Sequence, residues 1–390
     1  MITVETADNA LKSFYLDAVT EALNLKANPL LAQFKRSSAD VVGKDVRKLV
    51  RIGINAGIGA GSETGDLPSA RSGDRVEFVT TLKNLYGTIE ISDKAIRASA
   101  NNEGAFVNLL NDEMESLVKS ASLNFGRMLF GNGTGYLSDV SEAKGKQVYV
   151  GDIAPFLEGM YVDFIDTLDV AIPEAQNVKI THVDRKNGII MTEKDCSEYL
   201  LEGCLIYMHG SRDYELTGLG ALFDEYHDMY GLNRTEFPSI RPYRMNNVGE
   251  ISDIKIQKAI DDIEANSGNQ INFIVCSLDV KRTLMDYFRK MSIVLPTMEI
   301  EGGFKALNFN GIPLVADRFC PASTMYLLNT NDFIIHQLCD WKWLEGEDGK
   351  ILKQVPGKPV YTATLVKYAE LMCTRPNGQG ILLDIQTNIE

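Results

Sequence analysis

The chain is poor in the groups that usually announce chemistry. Among its 390 residues there are four histidines, His182, His209, His227 and His336. None sits in a GxSxG or HExxH setting, so no hydrolase or metalloprotease signature is present. The six cysteines, Cys196, Cys204, Cys276, Cys320, Cys339 and Cys373, are scattered and form no CxxC. In a chain this long they read as reduced thiols made in a cytosol. Cys196, Cys204 and His209 match no zinc spacing and lack a fourth ligand, so buried thiols of a small β core are the better reading. No run of lysine and arginine occurs beyond "KRSS" at Lys35–Ser38, and the formal charge is −14. Any contact with nucleic acid is therefore expected to be weak or local, and the negative charge to keep a concentrated protein soluble. No apolar run is long enough to span a membrane. The first residues carry Asp8, Lys12 and Asp17 with no apolar core, so no secretory signal and no membrane are expected. There is no tandem repeat and no low-complexity tract.

What is present is ordinary in bulk and unusual in arrangement. Hydrophobic residues make up 45% and charged residues 24%, which excludes a disordered or collagen-like chain. The length exceeds what one core normally organises, so two or more lobes are expected. Residues 9–25 place Leu11, Phe14, Tyr15, Ala18, Val19, Ala22 and Leu23 on one helical face, with Asp8 or Asn9 as cap and Asn28–Pro29 as stop. Such a short helix is marginal alone and must dock on something. Residues 46–91 then alternate as strands: Val50, Ile52 and Ile54, and after a Ser/Gly/Asp/Pro-rich stretch at 62–74, Val76, Phe78 and Leu82. The apolar phase slips afterwards to Leu85, Ile89 and Ile91, as a bulge or bend near Asn84 would cause. This reads as a long two-stranded arm with a mobile tip. A lone hairpin does not stabilise itself in water, so the arm needs a partner, which another copy of the chain could supply.

Residues 102–130 form a rod. Phe106, Leu110, Met114, Leu117, Ala121, Phe125 and Met128 recur at helical spacing, and "GNGTG" stops the helix at Gly131. Asp112, Glu113 and Glu115 read as a solvated or intersubunit face rather than as acid–base groups. Strand-like pieces dominate 135–232, with a hairpin turn at Asn187–Gly188, and read as a compact β-rich insertion. From 250 the pattern alternates: a helix capped by Ser252, the strand "INFIVCS", the helix "LDVKRTLMDYFRKM", a hairpin at Asn310–Gly311 and the strand "TMYLLN". The tail, 333–390, is mostly strand. The glycines of "GINAGIGAGSETG" open no helix and precede no Lys-Ser/Thr, so Gly57, Gly59 and Gly61 read as a hinge rather than a nucleotide cradle. "FGNGTG" follows a helix and fails the same test. No cofactor is expected. Trp341 and Trp343 point the same way along a strand, more as buried or interface anchors than as a ligand platform.

In this order the elements resemble a tailed-bacteriophage major capsid protein of the Hong Kong 97 fold. "NLYGTIEISDKAIRAS" (84–99) resembles the return of the extended loop to the peripheral domain. "EMESLVKSASLNFGRMLFGNGTG" resembles the spine helix and the turn after it. "GLGALFDEYHDMYGLNRT" (218–235) resembles the stretch leading into the axial domain, and "VKYAELMCTRPNGQGILLDI" (366–385) resembles the closing peripheral and axial strands. The resemblance implies an α+β chain divided into an N-terminal arm (1–45), an extended β-hairpin loop (46–92), a peripheral domain with the spine helix (93–134) and a β-rich insertion domain (135–232). An axial domain (233–332), peripheral return strands (333–378) and a final axial strand (379–390) complete it.

It further implies hexamers and pentamers in an icosahedral shell around double-stranded DNA, in a virion made in a host cytoplasm. Subunit contacts are then expected at Phe14, Tyr15, Asp66, Arg71, Arg75, Phe78, Lys83, Tyr86, Glu113, Arg127, Trp341 and Trp343. Some members of the family weld neighbours through a loop lysine. The tip 62–75 carries Arg71 and Arg75 but no lysine, and Lys83 lies well down the second strand, so no crosslink is expected. Because Met1 lies eight residues before the first helix, a separate scaffolding protein is expected, along with a portal and a possible decoration protein. The competing readings are an encapsulin-type nanocompartment, an enzyme with a dispersed active site, and a tail component.

Overall fold

The computed structural model describes residues 28–53, 55, 57–66, 69, 71–94, 103–292, 296–346 and 349–387. The helix expected at 9–25, with Phe14 and Tyr15, lies outside them. In chain order the elements begin with α1 (Pro29–Ala32), β1 (Lys35–Ser37), β2 (Val41–Val42), β3 (Asp45–Arg51), β4 (Arg75–Thr81), β5 (Lys83–Ser92) and the long helix α2 (Glu103–Met128). Next come β6 (Tyr136–Lys144), β7 (Gln147–Val150), β8 (Tyr161–Ile165), β9 (Val178–Asp184), β10 (Ile189–Thr192) and β11 (Leu205–Met208). A short α3 (Leu219–Leu222) precedes β12 (Tyr243–Met245), α4 (Asp253–Ser267), β13 (Phe273–Cys276), α5 (Leu278–Lys290), β14 (Thr297–Ile300), β15 (Phe304–Phe309), β16 (Ile312–Ala316) and β17 (Met325–Leu328). The chain closes with β18 (Phe333–Trp343), β19 (Lys353–Gln354), β20 (Val360–Cys373) and β21 (Gly380–Leu382). Among the described residues no helix is long and apolar enough to cross a membrane.

Asn28–Pro29, expected only as a helix stop, starts a helix. The Asn28 side chain accepts the N–H groups of Leu30 (2.8 Å) and Leu31 (3.2 Å), and Pro29 occupies the first turn, where its missing N–H costs nothing. This turn buries Leu30 and Leu31, and Phe34 stacks on Phe333 at 4.9 Å.

The arm is shorter than the alternation implied. β3 and β4 pair from Asp45↔Thr81 to Arg51↔Arg75. β5 then leaves them and pairs with β20 from Lys83↔Ala369 to Ser92↔Val360. The slip in apolar phase is this crossing at Leu82, from one sheet into another, rather than a bulge within one ribbon. A five-stranded sheet results, with β1, β18, β20 and β19 in sequence and β5 also on β20. Helix α2 packs against it. Its 26 residues span about 39 Å. Phe125 and Met128 of the expected stripe are buried and Leu117 and Ala121 partly so; Phe106, Leu110 and Met114 lie outside the described side chains. At Gly87 of β5 a Cβ would lie 2.9 Å from the tip of the Leu117 side chain, so glycine lets strand and helix approach without displacing that leucine. The helix ends at Met128, and Gly131, the expected stop, is not left-handed; Gly133 (φ 87) and Gly135 (φ 79) are, and they turn the chain beyond it.

That turn opens into a closed barrel of order β10-β7-β6-β11-β8-β9. Val140, Phe156, Val162, Phe164, Ile180, Ile190 and Ile206 fill it, each fully buried, with Cys196 and Cys204 among them. Asp184 accepts the N–H groups of Lys186 and Asn187, and Gly188 (φ 67) completes the anticipated turn. The polar first strand, β6, was not legible as a strand. The barrel ends at Met208, and the following residues Leu216–Tyr230, read as part of the same insertion, pack into the main core instead.

The third unit is a seven-stranded sheet of order β12-β21-β17-β13-β16-β15-β14. α4, capped by Ser252 at Lys255 N–H, and α5 cover one of its faces. β13 serves both layers: Ile274 and Cys276 face the helices, while Phe273 and Val275 face the main core.

Candidate assembly surfaces

The β3–β4 ribbon is finished only at its root. Val46 and Phe78 are buried there, Phe78 stacking on Tyr230 at 5.0 Å, and the Val79 N–H donates to the Tyr230 carbonyl. β2 lends a third strand only at Val46 and Asp45. Further out, Leu49 is 61% exposed and Ile58, in the connecting loop, 79%. Arg47–Glu77 (3.8 Å) and Lys48–Asp40 (3.3 Å) are surface ion pairs and add little. A two-stranded ribbon with bare apolar side chains and open edges is marginal until something covers it. Asp66, Arg71 and Arg75 are exposed on the loop and its flank. None of Gly57, Gly59 and Gly61 has a positive φ. Gly57 is needed for space: a Cβ there would lie 3.0 Å from Asn55 Oδ1 and 3.2 Å from the Arg71 nitrogen.

Four of the expected contact residues spend their area inside this chain. Phe78 is one. Arg127 is 3% exposed and pairs with Glu215, 2% exposed, while also bonding Asn124 through Nε (3.1 Å), and so ties α2 to the segment after the barrel. Trp341 meets Phe125 edge-on at 6.3 Å, and Trp343 is equally buried. Beside them Lys367 is fully buried. Its Nζ lies 5.8 Å from the Trp341 ring and 5.9 Å from that of Phe125, and it donates to Gln337 (2.9 Å) and Asp340 (2.5 Å). Burial pushes the Lys367 pKa down and Asp340 opposes that. Hydrophobic spacing marks a side chain as covered; it does not tell whether its own chain or a neighbour covers it.

Lys83, Tyr86 and Glu113 stay at the surface. Lys83 donates to the Asp213 carbonyl at 2.9 Å, and Glu113 is exposed on α2. Tyr86, 59% exposed, and Tyr161 of the barrel rim a groove of about 980 Å³ floored by Leu117 and Ala121. The metal trio weighed from sequence separates: Cys196 and Cys204 lie in the barrel core, while His209 is half-exposed and bonded to Asp163 at 2.7 Å.

Besides Glu215, two buried carboxyls escaped the sequence reading. Glu370 accepts the N–H groups of Thr217 (2.8 Å) and Leu371 (2.9 Å) and the Thr217 hydroxyl (3.1 Å), and burial pushes its pKa up to about 7. Asp317 accepts Asn28 Nδ2 at 2.6 Å and the Phe319 N–H at 2.9 Å, and burial lifts it to about 6. The available signal for Glu370 was a lone acid inside the apolar run "YAELMC".

No family model matches the chain, and no curated protein matches it. Solved structures do. A chain of the cyanophage A-1(L) capsid asymmetric unit matches at a TM-score of 0.55 and 11% identity, over 94% of this chain and 92% of that one. The fold is a phage capsid fold. The satellite phage P4 procapsid with its size determination protein (TM-score 0.47, 11% identity, 95% of this chain and 99% of that one) also matches. So does the holo-SrpI encapsulin complex from Synechococcus elongatus PCC 7942 (0.42, 8%, 92% and 87%). Both likenesses are too distant to add to the first.

Proposed function

We propose that this chain is the major capsid protein of a tailed phage, building the hexamers and pentamers of an icosahedral shell around double-stranded DNA, and that it is not an enzyme. The observation that carries the reading is the capsid fold spanning nearly the whole chain at a TM-score of 0.55. The unfinished β3–β4 arm agrees with it. In Hong Kong 97 terms the arm is the extended loop, α2 with the five-stranded sheet the peripheral domain, the seven-stranded sheet with α4 and α5 the axial domain, and the barrel the insertion domain. Leu49 and Ile58 gain cover when the arm lies across a neighbour, and obligate interfaces of this kind commonly bury more than about 2,000 Å². Asp66, Arg71, Arg75, Tyr86 and Glu113 supply the polar part of those contacts. A portal completes assembly in the virion, and the acidic chain touches the packaged DNA only weakly.

Electron cryomicroscopy of particles purified with their contents tests this. Icosahedral shells holding DNA are expected. Shells loaded with an enzyme would make the chain a nanocompartment protein. A small oligomer that persists under assembly conditions would end the proposal.

A further inference from the structure

The barrel carries an exposed apolar cluster on an acidic body, apart from the arm. Between Tyr136 and Met208 stand thirteen carboxylates and six lysines or arginines, so half of the formal charge of −14 sits on less than a fifth of the chain. At one end of this acidic body the pairing Ile165↔Leu205 brings two loops together, and a Cβ on Gly203 would lie 3.3 Å from the Thr167 methyl. From these loops Leu168 (81% exposed), Leu201 (71%) and Val170 (58%) project into solvent.

The loop bearing Leu168 is held in shape. Asp166 Oδ1 accepts the N–H groups of Leu168 (2.9 Å) and Val170 (2.8 Å). Asp169 receives both of its bonds, each 2.6 Å, from Arg212, whose guanidinium lies 5.2 Å from the Tyr207 ring. The aliphatic side chains so ordered lie outside the barrel core. Clustered exposed apolar groups with a polar rim mark interaction sites.

We propose that this end of the barrel docks a second protein whose contact face is aliphatic and ringed by lysine and arginine. Charge complementarity selects the occupant. Glu198 and Glu202 flank Leu201, and Arg212, the cation at the other loop, is taken by Asp169. Nucleic acid and anionic membrane surfaces are repelled by such a rim. A second copy meeting it barrel to barrel would bring an equally acidic surface and is repelled as well. The aliphatic centre supplies the desolvated anchor and the charges supply steering and specificity. This rests on the shell reading only in that the partner is sought on particles.

The test uses native particles purified at low salt and imaged by electron cryomicroscopy before and after washing at about 1 M NaCl, where screening shrinks to about 3 Å. Density seated on Leu168, Val170 and Leu201 is expected before the wash and lost after it, with a basic polypeptide in the eluate by mass spectrometry. Leu168→Asp with Leu201→Asp, both at exposed loop tips, should give particles without that density. Glu198→Lys with Glu202→Lys should lose it while leaving the aliphatic patch intact. Particles with a bare barrel end at low salt, density contributed by another copy of this chain, or density indifferent to both double variants would overturn the proposal. Absence of particles altogether would instead count against the shell reading.

Discussion

The barrel and the arm are both antiparallel and both alternate in hydrophobicity, but they treat their edges in opposite ways. In the barrel each strand from β6 to β11 has a neighbour on either side, and its inward residues meet one another. In the arm, β4 has a single partner, and beyond Val46 and Phe78 the apolar side chains Leu49 and Ile58 face solvent. Closure makes one region independent of company and the lack of closure makes the other dependent on it. A subunit built this way can fold first and associate afterwards.

The contrast is broken most severely by charging the arm. Leu49→Asp with Ile58→Asp should leave the melting temperature of the isolated subunit unchanged, since both positions are already wet. Covering each aliphatic side chain at an interface contributes about 1.5–3 kcal/mol, so the concentration needed for assembly should rise at least about 100-fold, as light scattering would record. A drop in the subunit's own melting temperature would mean that the arm packs within its chain. In the barrel the opposite division holds. Phe164→Ala, at a fully buried site, should cost about 3–5 kcal/mol in denaturant unfolding, because the closed core has no neighbour to compensate for the cavity. Tolerance of that change would show that the barrel core is loosely packed.

How much of this was legible follows from where each signal arises. The Ser252 cap and the Asn187–Gly188 turn are local, decided by a few neighbouring residues, and they read directly. The departure of β5 toward β20 is not local, since Lys83 and Ala369 meet across most of the chain. Alternation therefore fused β5 to the arm, and only the slip in phase at Leu82 hinted otherwise. β6 was missed because its outward face is so polar that alternation fades. Arg127, Trp341 and Trp343 were assigned to contacts between subunits because a large side chain on a regular face looks the same in either setting. The buried Glu215 that pairs Arg127 lies 88 residues away, beyond any pattern of spacing.

A smaller effect concerns the seam where the barrel rejoins the main core. Glu370 holds Thr217 there, and its folded pKa of about 7 stands above the ordinary 4.5. The folded chain thus binds the proton more tightly than the unfolded one. Its contribution to stability is complete below pH 4.5, declines as pH rises, and is lost above about 7. Asp317, raised to about 6 from 3.8, acts in the same direction at lower pH. Glu370→Gln should flatten the upper part of this decline and exceed the native chain at pH 8 by up to about 3 kcal/mol, measured by denaturant unfolding across pH. A native chain equally stable at pH 5 and pH 8, with the variant parallel to it, would show that the carboxyl is not the source. Smallest of all, Gly61→Ala, where the nearest atom to a new Cβ is 3.7 Å away, should shift stability by less than about 0.5 kcal/mol and leave assembly intact. Gly57→Ala, crowded by Asn55 and Arg71, should slow assembly more than Gly61→Ala does.

Hydrogen exchange of the arm amides in the free subunit and in the assembled particle tests most directly that the arm is completed by a neighbour. Barrel amides should be protected alike in both states. Those of the outer arm, Leu49–Arg51 and Arg75–Glu77, should exchange readily in the subunit and gain protection of about 100-fold or more in the particle. Equal protection of the arm in both states would contradict the account, since it would mean that the ribbon finishes itself as the barrel does.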